Sequence, residues 1–462
     1  MGRTHSASRR HTALRVMTVR AVLALLPLGW GVCLGSAAEV EPPVLSYEQA
    51  RAELHQVSDV LKASEAKLSR STEEARAVRW LGLPDLTSTT TELFGEKTGT
   101  LEGTPLGNLP FSYNFRGPRS SINSTWAIYS GGSIKATQRA LAAGARAASA
   151  DLTSTEEDLD VLLAQAYFGL ELAADVERTR VSVLEQADRQ LNRAIEFERH
   201  GIIPKVERLS SQVARDQAAR EQVASARDRE IAEASLRRLL HRSEPVGTST
   251  PLFVSSRPLQ PLAQWLAMAE RGSPTLAALN AQREEAEQGM AIAESLWKPK
   301  VFAFGSYNPI RKYQSPIEPD WIAGVGINFT LFAHEDRENK VAAARAGVRE
   351  AQSLHDAAST AIATAVEASF RKVAQAREQF QLLDSTIALA EENLRLREKG
   401  FEEAQATSID VNEARSALAG AQTERALAAY DYDIALAQLL KAAGQAGALP
   451  EYIRQADIQL PP

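Results

Sequence analysis

Trp321-Ile-Ala-Gly-Val-Gly-Ile-Asn-Phe-Thr-Leu-Phe332 is the stretch on which the reading of this chain turns. Ala323, Val325, Ile327, Phe329 and Leu331 fall on one side of an extended backbone. Gly324, Gly326, Asn328 and Thr330 fall on the other. Side chains of a strand alternate between its faces, so this is apolar out, small or polar in, the pattern of a membrane barrel strand. Just upstream, Pro299 closes a helical run and Val301-Phe-Ala-Phe-Gly-Ser-Tyr307 gives a second strand. A loop containing Pro309, Pro316 and Pro319 joins the two.

The pattern has a counterpart about 203 positions earlier, because residues 126–239 recur at 329–442. Trp126-Ala-Ile-Tyr129 lies over Phe329-Thr-Leu-Phe332, Tyr167 over Phe370, Leu191 over Leu394 and Glu207 over Asp410. A period near 200 is far too long for a solenoid and implies an internal two-fold repeat. The first half offers Pro84-Asp-Leu-Thr-Ser-Thr-Thr-Thr-Glu-Leu93 and Ser121-Ile-Asn-Ser-Thr-Trp-Ala-Ile-Tyr129, with a Gly/Pro-rich loop from Gly95 to Pro118 between them. Ile122, Trp126 and Ile128 share a face there. A soluble hairpin packed on a helix is the competing reading of these strands.

Between the hairpins the chain reads as long helices. The expected runs are about 46–79, 134–199, 205–240, 259–294, 336–403 and 408–443, with apolar residues at three- and four-residue spacing. A run of some 65 residues reaches roughly 100 Å at 1.5 Å per residue, more than a globular domain needs. Scarce aromatics (6%), abundant alanine and interspersed charge (24%) suit helices packed closely on one another.

The N-terminus reads as a secretory signal, residues 1–38. Arg3, Arg9, Arg10, Arg15 and Arg20 precede an apolar run from Ala21 to Val32, and Gly35-Ser-Ala-Ala38 follows. Met17 is an alternative start. The formal net charge is −6, and the leader holds five arginines and no acids, so the rest is more acidic still. That balance argues against nucleic-acid binding. The one cysteine, Cys33, lies in the leader, which leaves no disulfide, and Trp30-Gly-Val32 before it is a poor lipidation context. No stretch beyond the leader is apolar over some 18 residues, whereas barrel strands stay compatible with this composition.

Four strands cannot close a barrel, and hydrocarbon does not tolerate an unpaired sheet edge. The strands must therefore be pooled with other copies, and three copies give twelve, an even number within the range of outer-membrane barrels.

In their duplicated order these residues resemble the TolC-type outer membrane efflux family over about residues 45–444. The resemblance rests on Leu83-Pro84, Tyr129-Ser-Gly-Gly132 and Gly201-Ile-Ile-Pro-Lys-Val-Glu207. In the second copy it rests on Lys298-Pro299, Leu331-Phe332, Ser408-Ile-Asp410-Val-Asn-Glu413-Ala-Arg415 and the closing segment Tyr430–Gly444. It implies a mainly α fold with a small β part: a long α-helical barrel, plus four strands per chain completing a 12-stranded trimeric transmembrane β-barrel. The function implied is an outer-membrane exit duct of a tripartite efflux or type I secretion system. A homotrimer in outer-membrane lipid would join a periplasmic adaptor and an inner-membrane pump, with no cofactor. The implied division places helical parts at 39–83 and 259–298 and membrane hairpins at 84–131 and 299–333. Coiled-coil helices follow at 132–258 and 334–444, with a C-terminal tail at 445–462.

The resemblance further implies a pore gate at the helix tips, formed by Asp410 and Glu413, with Glu207 the first-half counterpart of Asp410. Three copies of such acids would ring the pore with negative charge. Thr407-Ser-Ile-Asp410 also reads as a capping box, which needs no gate to explain its acid. The family's basic residue four positions before the first acid is Ala406 here, the glycine of the second turn is Ala404, and Gly131-Gly132 is matched by His334-Glu335. Lipid-facing positions are expected at Val325, Ile327, Phe329, Leu331 and Trp126. Seven scattered histidines, no Gly-x-Ser-x-Gly and no phosphate-cradling loop leave no catalytic or metal constellation in the sequence. The competing function is a soluble periplasmic coiled-coil scaffold or adaptor subunit.

Overall fold

The computed structural model describes residues 44–105, 107–310, 319–403 and 405–460. The expected leader with Cys33, Pro316 and Ala404 lie outside them. After β1 (Val44–Leu45) come α1 (Tyr47–Val57) and α2 (Asp59–Ala77), then the hairpin β2 (Asp85–Thr104) and β3 (Gly107–Tyr129). The long α3 (Ser133–Arg199) turns into α4 (Lys205–Leu239). β4 (Gly247–Thr248) and β5 (Phe253–Val254) lead into the second half. There α5 (Leu262–Gly272), α6 (Pro274–Glu294), β6 (Lys300–Tyr307), β7 (Trp321–Asn328), α7 (Arg337–Glu402) and α8 (Ser408–Ala442) follow in the same order. A short α9 (Leu449–Gln455) and β8 (Ile458–Gln459) close the chain.

The two expected helices 46–79 and 259–294 are each broken once. Ser58 and Ser273 leave the helical backbone, at ψ 120° and 118°, and each caps the next helix by accepting from the backbone N–H three residues on, Leu61 and Leu276. A serine that satisfies an orphan N–H stabilises the restart by about 1 kcal/mol, and Pro274 fits the first turn, where its missing donor costs nothing. Elsewhere helix ends fall within a few residues of expectation.

The first hairpin departs furthest. The residues read as a loop, Gly95 to Pro118, are strand: the β2–β3 ladder runs from Asp85↔Thr125 out to Leu101↔Leu109 without a register break. β7 is shorter than read, ending at Asn328, so Phe329 and Leu331 lie beyond it. The strand-to-helix junctions explain the difference. Gly131 and Gly132 take φ of 69° and 95°, a left-handed turn that lets β3 pass straight into α3. A Cβ on Gly131 would stand 3.0 Å from the Ser295 carbonyl. His334-Glu335 cannot make that turn cheaply, so the second half spends residues 329–336 on a longer link, and Asp336 caps α7 from Oδ1.

The main core sits part-way along the long helices, where the short elements gather around them. Tyr47 stacks on Phe168 (5.5 Å), Tyr167 meets both edge-on, and Phe253 bridges Phe168 to Tyr432 at 5.9 and 6.0 Å. Leu163, Val373, Phe380, Leu436 and Leu440 are buried with them. Each large apolar side chain fully buried there contributes about 1.5–3 kcal/mol. Along the rest of α3 and α8 the buried positions are mostly alanine, among them Ala136, Ala143, Ala147, Ala414, Ala419 and Ala421, which lets the helix backbones approach closely. The C-terminal segment belongs to this core: β8 pairs antiparallel with β5, and Leu449, Ile453 and Leu460 are buried.

Polar groups lock the core. The Tyr167 hydroxyl donates to the Leu45 carbonyl (2.7 Å) and accepts from the N–H groups of Ser249 (3.1 Å) and Thr250 (2.9 Å). Asp433, fully buried, accepts from the Phe253 N–H, and desolvation pushes its carboxyl well above the usual range. Burial likewise pushes Glu157 up to about 7, against the opposing pull of the Ala446 N–H and Lys441.

Tyr167→Phe should lower stability by about 2–3 kcal/mol, since buried backbone groups lose their partner, read as a drop in the thermal midpoint. A carboxyl whose folded pKa is raised stabilises fully below its unfolded pKa and loses that contribution as pH rises through its folded pKa. The thermal midpoint difference between Glu157→Gln and the parent should therefore grow in the variant's favour from below the ordinary carboxylate range to above about pH 7. A difference independent of pH would contradict the assignment.

Candidate functional site: the strand sheet and the helix tips

Two places can do work here. The first is the four-stranded sheet, ordered β2-β3-β6-β7. Its register aligns Trp126 with Ala303 and Ala303 with Val325, so these three share a face. Leu86, Ile122, Val301 and Ile327 continue it by the same ladders. Trp126 is 42% exposed, Val325 68% and Ile327 73%, left largely open by the described residues. Phe329 and Leu331 are exposed too, but below the last rung rather than on the strand.

The opposite face carries Thr87, Thr89, Asn123 and Thr125, with Phe302 and Phe304 lying over Gly326 and Gly324. A Cβ at those glycines would come within 2.5 and 2.9 Å of the rings. A side chain at either glycine would have to displace the ring beside it, which the alternating pattern alone did not explain.

Aromatic side chains flank the apolar band. Trp80 and Trp297 occupy equivalent short turns at the helix ends, and Tyr307 pairs with Trp321 at the far rung. The Trp126 indole donates to the Gly82 carbonyl (2.9 Å), fixing strand to helix. Eight residues of β6 rise roughly 27 Å at about 3.4 Å each, close to the ~25 Å apolar band of membrane barrels. Among the described residues β2 and β7 each pair on one side only, leaving two open edges.

The second place is the tip where α3 turns into α4 and α7 into α8. A small core of Ala194, Leu394, Phe401, Val411 and Ala414 holds the two hairpins together, with Phe197 stacked on Phe401 at 5.8 Å. Ala406 packs against it. The three acids read from the sequence have different surroundings. Asp410 completes the capping box: its Oδ2 accepts from the Thr407 N–H (2.9 Å) and hydroxyl (2.7 Å), while Thr407 caps the Asp410 N–H. Those bonds, with Arg397 Nη1 at 3.3 Å, hold its carboxyl below the usual range.

Glu207 bridges the hairpins, its Oε2 accepting from the Ser408 N–H at 2.8 Å and its carbonyl from the Ser408 hydroxyl at 3.1 Å. Glu413 is exposed on α8 with no hydrogen-bond or ion-pair partner among the described residues.

The residues that tie the tip were missed in the sequence. Arg415 is buried between helices, with Glu398 at 3.2 Å and Asn412 at 3.3 Å, and desolvation lowers its pKa. Arg193 reaches Glu402 (2.6 Å) from one hairpin to the other, and Arg208 meets Glu198 (2.6 Å) within the first. Opposite charges at similar distances either side of each turn were the available signal, but charge is so frequent on these helices that it singles out no pair.

Residues 265–445 match the family model described as outer membrane efflux protein. The second half of the chain is thus similar to an outer membrane efflux protein domain. The match spans most of α5 through α8, including β6, β7 and the second tip. No curated protein matches the chain in sequence. Among solved structures, the Campylobacter jejuni CmeC outer membrane channel superposes with a TM-score of 0.73 at 13% identity, over 88% of each chain. The Vibrio cholerae outer membrane protein VceC gives 0.72 at 16% identity, over 86% of this chain and 96% of its own. The Neisseria gonorrhoeae MtrE outer membrane channel gives 0.71 at 17%, over 87% and 89%. Such low identities establish a shared fold, mainly helical with a small strand part, rather than shared residues.

Among the described residues, no helix is long and apolar enough to cross a membrane, and no three His, Cys, Asp or Glu side chains group to hold a metal. Val325→Arg should cost about 2–4 kcal/mol of membrane-inserted stability, while Thr125→Arg on the opposite face should be tolerated. Urea titration of the folded protein in lipid vesicles measures both.

Proposed function

We propose that three copies of this chain form an outer-membrane exit duct, through which substrate passes without covalent chemistry. The observation that carries this is the open sheet: an uncovered apolar face on four strands whose two edges have no partner. Backbone amides in hydrocarbon must be paired, so β2 of one copy would join β7 of the next, and three copies would close twelve strands. In this reading 84–131 and 299–333 lie in the outer membrane, and the helical parts, 39–83, 132–298 and 334–444, extend into the periplasm after loss of the leader 1–38. Val325, Ile327 and Trp126 would face lipid, with Phe329 and Leu331 at the rim below.

The tips would meet a periplasmic adaptor belonging to an inner-membrane pump. There Asp410 and Glu413 would line the narrow end. Glu413, unpaired and exposed, would carry the selectivity, while Asp410 and Glu207 would serve chiefly to cap and clasp helices. The soluble scaffold reading leaves the apolar face of Trp126 and Val325 in water.

Cell fractionation followed by gel analysis tests the assembly: the expected result is a heat-modifiable trimer in the outer membrane. A monomer released by osmotic shock would overturn it. In planar bilayers Glu413→Gln should reduce cation over anion selectivity more than Asp410→Asn does. The reverse order would place the gate charge on Asp410.

A further inference from the structure

The β2–β3 hairpin is far longer than the sheet it belongs to. β6 pairs with β3 only as far as Ile122↔Tyr307, yet the hairpin continues outward from Thr89↔Ser121 to Leu101↔Leu109. Those thirteen rungs project roughly 40 Å at about 3.4 Å per residue. Because the register is unbroken, each face can be followed from sheet to tip.

The polarity of the two faces exchanges on the way. On the lower rungs the apolar side is the one holding Leu86, Ile122 and Trp126, and the other holds Thr87, Thr89 and Asn123. Beyond Thr91 the side continuous with Trp126 turns polar. Glu92 and Glu96 lie on it, the Ser112 hydroxyl donates to Glu96 (2.8 Å), and Phe94, 64% exposed, has the Arg116 guanidinium over its ring at 5.3 Å. The side continuous with Thr87 and Asn123 becomes mainly apolar instead, with Leu93, Leu109 and Phe111 on it and Lys97 as its one charged position beyond Thr91. Phe111 lies over Gly99, where a Cβ would stand 2.7 Å from its ring. All three remain substantially exposed, at 36%, 44% and 39%.

A two-stranded ribbon is at best marginally stable in water, and one with an apolar face needs something to cover it. Lipid cannot be the cover, since the side that would face lipid lower down is charged here. By register the apolar side continues the wall that would line the lumen, and in a closed ring each of the other copies presents the same side at the same mouth. Resting on the trimer reading, we propose that the three β2–β3 arms fold over the outer mouth of the duct. They pack Leu93, Leu109 and Phe111 of one copy against those of its neighbours, forming an external cover. Such a cover would make the outer end a second barrier, separate from the helix tips.

The test uses the full-length trimer in lipid. Residues 44–460 contain no cysteine, so Phe111→Cys and Glu96→Cys each place one on opposite faces of the arm. Under oxidation Phe111→Cys should yield cross-linked protomer pairs and lose conductance in a planar bilayer, recovered with reductant, while Glu96→Cys should do neither. Replacing residues 92–118 by an Asn-Gly turn should raise conductance and leave the trimer intact. The inference fails if native mass shows a trimer but Phe111→Cys does not cross-link, if Glu96→Cys cross-links as well, or if a lipid-soluble probe labels Phe111→Cys. It also fails if the shortened variant conducts no better. A monomer by native mass sinks the trimer reading itself, and this inference with it.

Discussion

In the proposed duct every backbone N–H and C=O within the hydrocarbon layer must find a partner, and on that reading this requirement organises the molecule. The sheet satisfies it internally through two antiparallel hairpins and one junction between them, β3 to β6, but leaves β2 and β7 open. The apolar row Trp126–Ala303–Val325 has meaning only beside those open edges. The helices then serve as the frame that holds each hairpin at the correct height, through the Trp126 bond to Gly82 and the glycine turn at 131–132.

The helical part follows a different rule. Over most of their length α3 and α8 bury alanine, so packing there is close but contributes little area per residue. Large side chains are concentrated in one aromatic cluster around Tyr47, Phe168, Phe253 and Tyr432. The short strands and helices that seemed incidental in the sequence supply that cluster. A long helix pair cannot build a core of this depth from its own surface, so β5, β8, α1, α5 and α9 are recruited to it. At the tips, where no such elements exist, a small apolar core is supplemented by ion pairs instead.

Much of this was legible in the sequence, and what was missed has specific physical causes. Strand alternation at 321–328 and apolar spacing along 134–199 and 336–403 declared their elements, because one face of each is buried or apolar. The outer arm of the first hairpin hid itself: glycines and the prolines at 110 and 118 are turn residues by propensity, but here they sit in a ribbon paired only on one side. The breaks at Ser58 and Ser273 fall inside continuous helical periodicity, and only the Ser-Pro pair at 273–274 signalled one. Asp410 was identified with its cap, yet Arg397 beside it and the buried Arg415 were not, since partners thirteen to seventeen residues apart are set by the hairpin geometry.

The two strand-to-helix passages are unlike, and the difference is mechanical. Only residues 130–132 separate β3 from α3, so a twist of the first rod reaches its strand across a short turn. Residues 329–336 put eight residues between β7 and the second rod, bridged by Arg337 to the Thr330 carbonyl. A torque applied far below would therefore cross a shorter link to the sheet in the first half than in the second.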